Sequence, residues 1–209
     1  MSMIINPYRF AGGGGGGGGG DPTFVSVSTP TVSSAVDLPS SVAEGDLLIA
    51  YCVAAGGAST LSTPSGWTQV GSKYTWTTYS YETAAYYKVA GASEPSSTNF
   101  GANIREGFMV CYRNASSVSD YGSYTQASGA SNTLTGVASG SGTMLISLIH
   151  DRDTAPAFTP PTDMTERLDA GATYWRHGLA EQLAAPTEDK TWTMTAASFP
   201  SVAVLLVIE

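Results

Sequence analysis

A chain of 209 residues with a formal charge of −8 and only 12% charged side chains has room for one substantial core, and its surface must be polar through hydroxyls more than through charge. The acidic balance repels nucleic acid and anionic membranes, and the nine Lys and Arg residues are scattered singly, so no basic patch offsets it. No run reaches the length of a membrane span and the N-terminus lacks the apolar core of a secretory signal, so neither nucleic acid nor membrane insertion is an expected partner.

The chain opens MSMIINPYRFAGGGGGGGGGDP, with nine consecutive glycines from Gly12 to Gly20. Glycine loses the most backbone freedom on ordering, so the run reads as a leash of roughly 15–18 Å on average and about 30 Å at full stretch. Several copies gathered on a symmetry axis could instead pack backbone to backbone in a polyproline-II-like bundle. Ahead of the leash, Ile4, Ile5, Pro7, Tyr8, Arg9 and Phe10 combine apolar, turn-forming and aromatic types suited to filling a partner's pocket. A tail meant for its own domain would not need nine glycines behind it, so these residues are expected to anchor the chain to another protein.

After the leash, TFVSVSTPTVSSAV alternates apolar and hydroxyl residues about Pro30 and predicts two short strands. Further strands are predicted in DLLIAYCVA (46–54), TAAYYKVA (83–90), GFMVCYR (107–113), TMLISLI (143–149) and SVAVLLVIE (201–209), each bounded by turn formers. Cys52 and Cys111 sit within these apolar runs as small buried hydrophobes, or as one disulfide if their strands are neighbours. The one helical candidate is WRHGLAEQLAA (175–185), in which Leu179 and Leu183 are four apart, but Gly178 interrupts it and Pro186 ends it.

An internal repeat overrules that helix. Gly45–Ala50 matches Gly142–Ser147, and Pro64–Thr68 matches Pro161–Thr165 at the same offset; after a loss of three residues, Lys88-Val89-Ala90 matches Gln182-Leu183-Ala184. Glu94, Phe100 and Phe108 then fall against Glu188, Met194 and Val202, so 177–184 is predicted to be a strand like 83–90. The expected fold is all-β: an antiparallel, jelly-roll-like β-sandwich over 23–209, in which two Greek keys interlock as similar halves (about 38–113 and 135–209), behind an arm of residues 1–22.

Chemistry is sparse. The Glu residues 82, 94, 106, 166, 181 and 188 fall in no motif that pairs them, and the two histidines, His150 and His177, stand near no nucleophile elbow, so no enzymatic activity and no cofactor are expected. His150-Asp151-Arg152-Asp153 reads as a solvated strand end more than as a metal site. Tyr74, Trp76, Tyr79 and Tyr81, with Tyr174 and Trp175 at the equivalent place in the second copy, either fill a core or subunit contact or stack on glycan rings.

The opening INPYRF with its glycine run resembles the N-terminus of structural proteins from tailed bacteriophages, and GDLLIAY, TPSGWTQVGS and YYKVAGASEPSS resemble a β-rich module of phage appendage and virion surface proteins. That resemblance implies a non-enzymatic, tail-fibre-like virion protein, made in the host cytoplasm and released by lysis. Its arm would fasten to other virion proteins while its body projects outward, and a homotrimer would give the glycines an axis to line. Capsid decoration and glycan-binding host recognition are the alternative roles. The motifs are structural, so the resemblance transfers no residue role.

Overall fold

The computed structural model describes residues 20–33, 35–55, 60–78, 80–102, 104–137, 139–152, 157–171, 173–195 and 200–209. Residues 1–19, and with them the expected anchor residues Ile4, Ile5, Pro7, Tyr8, Arg9 and Phe10 and most of the glycine run, lie outside this set.

The described residues form strands and no helices. In order they are β1 (Thr23–Val27), β2 (Val36–Asp37), β3 (Leu47–Ala55), β4 (Thr60–Leu61), β5 (Thr68–Trp76), β6 (Tyr81–Val89), β7 (Ser97–Thr98), β8 (Gly101–Ala102) and β9 (Ile104–Arg113). There follow β10 (Val118–Tyr121), β11 (Thr125–Ala127), β12 (Ser131–Leu134), β13 (Met144–Asp151), β14 (Phe158–Thr159), β15 (Thr165–Gly171), β16 (Arg176–Leu183), β17 (Lys190–Met194) and β18 (Ser201–Ile208).

Two large antiparallel sheets dominate, one ordered β1-β9-β3-β6-β5 and the other β10-β18-β13-β16-β15, with β11 also on β18. They pack face to face. Leu47, Ile49, Tyr51, Phe108 and Val110 of the first sheet share one core with Ile146, Leu148, Leu179, Val204 and Leu206 of the second. On the outer face of the first sheet, Leu48, Ala50, Cys52 and Met109 pack under the two-stranded pairs β2-β7 and β4-β8 through Val36, Leu61 and Phe100. On the outer face of the second, Leu145, Ile149 and Leu205 lie under β12-β17-β14 through Leu134, Phe158 and Trp192. Strands β3, β13 and β18 are therefore buried on both faces, which is why LLIAYCVAA and SVAVLLVI are apolar throughout and do not alternate.

The sandwich differs from the expected interlocked arrangement in one respect. Each large sheet draws its strands from a single contiguous stretch, 23–113 or 118–208, so the chain does not weave between the two. Matching turns recur at the expected positions: Trp67 N–H donates to Pro64 O and Met164 N–H to Pro161 O, both at 3.1 Å. Within 175–185, Arg176–Leu183 form a strand, β16, paired on both sides, and no helix. The register of the last strand is corrected: Leu47 faces Tyr112 and Met144 faces Ile208, which sets Phe108 level with Val204, not Val202. A slip of two keeps every side chain on its face, so the apolar pattern alone could not detect it.

Both cysteines are free and buried under the first sheet. Burial pushes the Cys52 thiol far up and, with Asp46 beside it, lifts Cys111 to about 12, so neither is a thiolate at neutral pH.

Candidate functional site

Of the aromatic residues singled out in sequence, Trp76, Tyr81 and Trp175 come together, with both tryptophans buried. Tyr74 and Trp76 lie on β5, Tyr81 opens β6, and Tyr174 and Trp175 precede β16; Tyr79 lies outside the described residues. Trp76 is 8% and Trp175 2% exposed, and the rings meet edge to face: Trp76–Tyr81 at 6.0 Å, Tyr81–Trp175 at 5.0 Å and Trp175–His150 at 4.9 Å between centroids. Arg152 places its guanidinium 5.2 Å from the Tyr81 ring centre. Stacking on a sugar needs an open ring face, and the faces of Trp76 and Trp175 are covered by neighbours. Neither of these two rings is open to stack on a sugar in this structure. Tyr174 is exposed, while the Tyr74 hydroxyl bonds the Gln126 side chain, tying edge strand β5 to β11 of the other sheet.

Behind the aromatics lies a polar group that the sequence did not assemble. Glu106 of β9 is fully buried, and its carboxylate accepts the Tyr174 N–H at 2.6 Å and the Trp175 N–H at 3.2 Å. His177 Nε2 stands 3.4 Å from Glu106 Oε2, and because a carboxylate only accepts, this nitrogen carries the proton. His150 Nε2 is 3.0 Å from Thr83 Oγ1, and the two imidazole centres are 6.1 Å apart. Both Nδ1 atoms are buried without a hydrogen-bond partner. Burial holds the His150 pKa well below its usual value, reinforced by His177, and burial lowers His177 against the opposing pull of Glu106.

Carboxylate, two imidazoles and a hydroxyl are the makings of proton-transfer chemistry, but a general base must reach its substrate, and Glu106, His150 and His177 are at most 1% exposed. What the group does is join the sheets. Glu106 and Thr83 belong to the first, His150, Trp175 and His177 to the second or its approach. Among the described residues no three His, Cys, Asp or Glu side chains converge to hold an ion. The one sequence signal was Glu106 itself, a charge entering the apolar run GFMVCYR, whose partner seventy-odd residues away no local pattern could name.

A second polar tie closes the opposite end of the seam. Tyr112 donates to Glu181 Oε2 at 2.8 Å, and Arg167 Nε donates to Glu181 Oε1 at 2.7 Å while its guanidinium lies 4.7 Å from the Phe24 ring centre. Thus β15 at the edge of one sheet is tied through side chains to β1 at the edge of the other.

The start of the described chain is held to the sandwich: β1 pairs with β9, Asn114 Nδ2 donates to Asp21 O at 3.4 Å, and Gly20 lies beside Asn114. No protein-family model, curated protein or solved structure matches the chain.

Proposed function

We propose that this protein is a structural component of a bacteriophage virion, a tail-fibre-like appendage whose residues 1–11 fasten it to another virion protein and whose sandwich projects from the particle. The observation that supports the reading is the junction: Gly20, the last of the nine glycines, is followed by Asp21, Pro22 and then β1, which pairs with β9, so a pull on the preceding glycines would be delivered along a hydrogen-bonded ladder. Two further facts support it. The aromatic and ionisable residues most suggestive of chemistry are interior and tie sheet to sheet, and the phage-like motifs GDLLIAY and YYKVAGASEPSS supply the central strands β3 and β6.

Removing residues 1–20 tests the role. The truncated chain is expected to fold with unchanged melting temperature and to be missing from assembled particles; normal occupancy without the arm would refute the anchor. A homotrimer belongs to the same reading, since three glycine runs would share an axis, and light scattering on the full chain should return three times the chain mass. Imaging of labelled particles separates the tail position proposed here from capsid decoration.

A further inference from the structure

Strand β17 reads Lys-Thr-Trp-Thr-Met from 190 to 194, and its burial alternates, with Lys190, Trp192 and Met194 turned inward and Thr193 outward. An inward position on a covering strand calls for an apolar side chain, yet the first of the three is a lysine only 3% exposed. Its ammonium makes no hydrogen bond to the described residues, and the Glu188 carboxylate oxygen paired with it is 4.0 Å away on a side chain 64% exposed. The stem is buried and the ammonium is the polar end that lines the cleft described next, with donors that no described residue takes up.

Lys190 lines a small polar cleft of about 280 Å³ between the turn Pro161–Met164 and the segment 188–191. The first wall carries a second unfavourable choice. Asp163 sits in the left-handed region (φ 67°), where the matching turn of the first segment places Gly66 (φ 80°). The second wall is fixed in place: Asp189 Oδ1 accepts the Gly136 N–H at 3.0 Å, and Gly136 lies so close beneath Glu188 that an added Cβ would stand 2.4 Å from its carbonyl oxygen. The cleft is thus built before any ligand arrives, and its volume, just under the ~300–1,000 Å³ of ordinary small-molecule sites, fits a single ring.

The donor and acceptor set selects the ligand. The ammonium needs oxygen acceptors, and the carboxylates of Asp163 and Glu188 need donors. An anion would meet three carboxylates and a chain of net charge −8, and a cation would meet Lys190 at the floor. Neutral vicinal hydroxyls answer both demands at once. We propose that this cleft is a binding site for one neutral saccharide ring, with Lys190 donating to ring hydroxyl oxygens and Asp163 and Glu188 accepting from ring hydroxyls. The site owes nothing to the arm, so it stands or falls independently of virion anchoring.

The chain has three lysines, Lys73, Lys88 and Lys190, and the first two are already ion-paired with Glu82 and Glu94. Full-length protein labelled with ¹³C-lysine therefore gives three ε-methylene signals. It is titrated separately with D-glucose, D-galactose, N-acetyl-D-glucosamine, inorganic phosphate and calcium chloride, each to about 100 mM, because one-ring sites bind in the millimolar range. At least one sugar should move the Lys190 signal saturably and leave the other two in place, and Glu188→Gln and Asp163→Gly should each weaken that response roughly tenfold, the loss of about one good hydrogen bond. Lys190→Met should fold with equal or greater stability, as expected if the lysine is there for a ligand. A Lys190 signal indifferent to all three sugars, a uniform drift of all three lysines, or saturation by phosphate or calcium in their place overturns the proposal.

Discussion

At the scale of single residues, the protein's unusual choices lie on the seam between the sheets. His150 and His177 are both neutral in the folded state because burial holds their pKa values down, whereas in the unfolded chain they titrate near 6.5. With the folded value depressed, the stabilisation is complete above the unfolded value and is lost as pH falls from about 6.5 toward the folded values, with a slope approaching about 1.4 kcal/mol per pH unit for each histidine. Urea unfolding at pH 7.5, 6.0 and 5.0 should show that decline, and a His150→Phe, His177→Phe double variant should flatten it. Asp46 acts only lower: burial alone would raise its pKa, but the hydrogen bonds from Arg113, the Ala43 N–H and Cys111 outweigh this and lower it, so its share fades only as pH drops below about 4. Glu106 gives a sharper test. Glu106→Ala orphans the Tyr174 and Trp175 N–H groups, and at about 1–3 kcal/mol for each orphaned donor the loss should show as a clear drop in the urea midpoint. An unchanged midpoint would mean that the carboxylate does not hold the turn before β16.

At the scale of elements, the long strands were legible because period and composition agree, and the reading failed where length ran short. β3, β9, β13 and β18 stand out as apolar runs bounded by Gly, Ser or Asn, and β16 was recovered only through its repeat partner, since Leu179 and Leu183 fit a helix as well as a strand. β5 was hidden because an edge strand is half wet: in TQVGSKYTW most residues are exposed or partly exposed, and the register breaks between Val70 and Tyr74. The pairs β2-β7 and β4-β8 contribute two residues to each strand, too few for any periodicity. Gly178, which looked like a helix breaker, has a different reason. An added Cβ would stand 2.7 Å from Ile149 Cγ2, 2.9 Å from Phe158 Cδ2 and 3.1 Å from the Trp192 ring, so glycine is what lets the covering sheet settle onto β16. Gly178→Val should cost about 1–3 kcal/mol by overpacking, read as a lower melting temperature, with the near-ultraviolet signal of Trp192 reduced.

At the scale of the whole molecule, the matching segments of the sequence do not say how the two sheets meet. The apolar pattern of β3 says that both faces are covered without saying by what, and the polar ties Glu106–His177 and Tyr112–Glu181 join residues about seventy positions apart. What the structure adds is that the central core belongs to both sheets equally. Leu47, Ile49 and Phe108 would be laid bare if the second sheet left, and Ile146, Leu148 and Val204 if the first did. Neither sheet can keep its inner face dry alone, so the two should unfold as one cooperative unit. Leu148→Ala tests this directly. The side chain is fully buried on β13 and points into the shared core, so truncation should destabilise by about 2–5 kcal/mol. If the core is common property, hydrogen exchange read by mass spectrometry should quicken in the β3 and β9 peptides as much as in β13 and β18, although the lesion lies on the second sheet. Faster exchange restricted to 144–151 and 201–208 would instead show two independently stable sheets in contact.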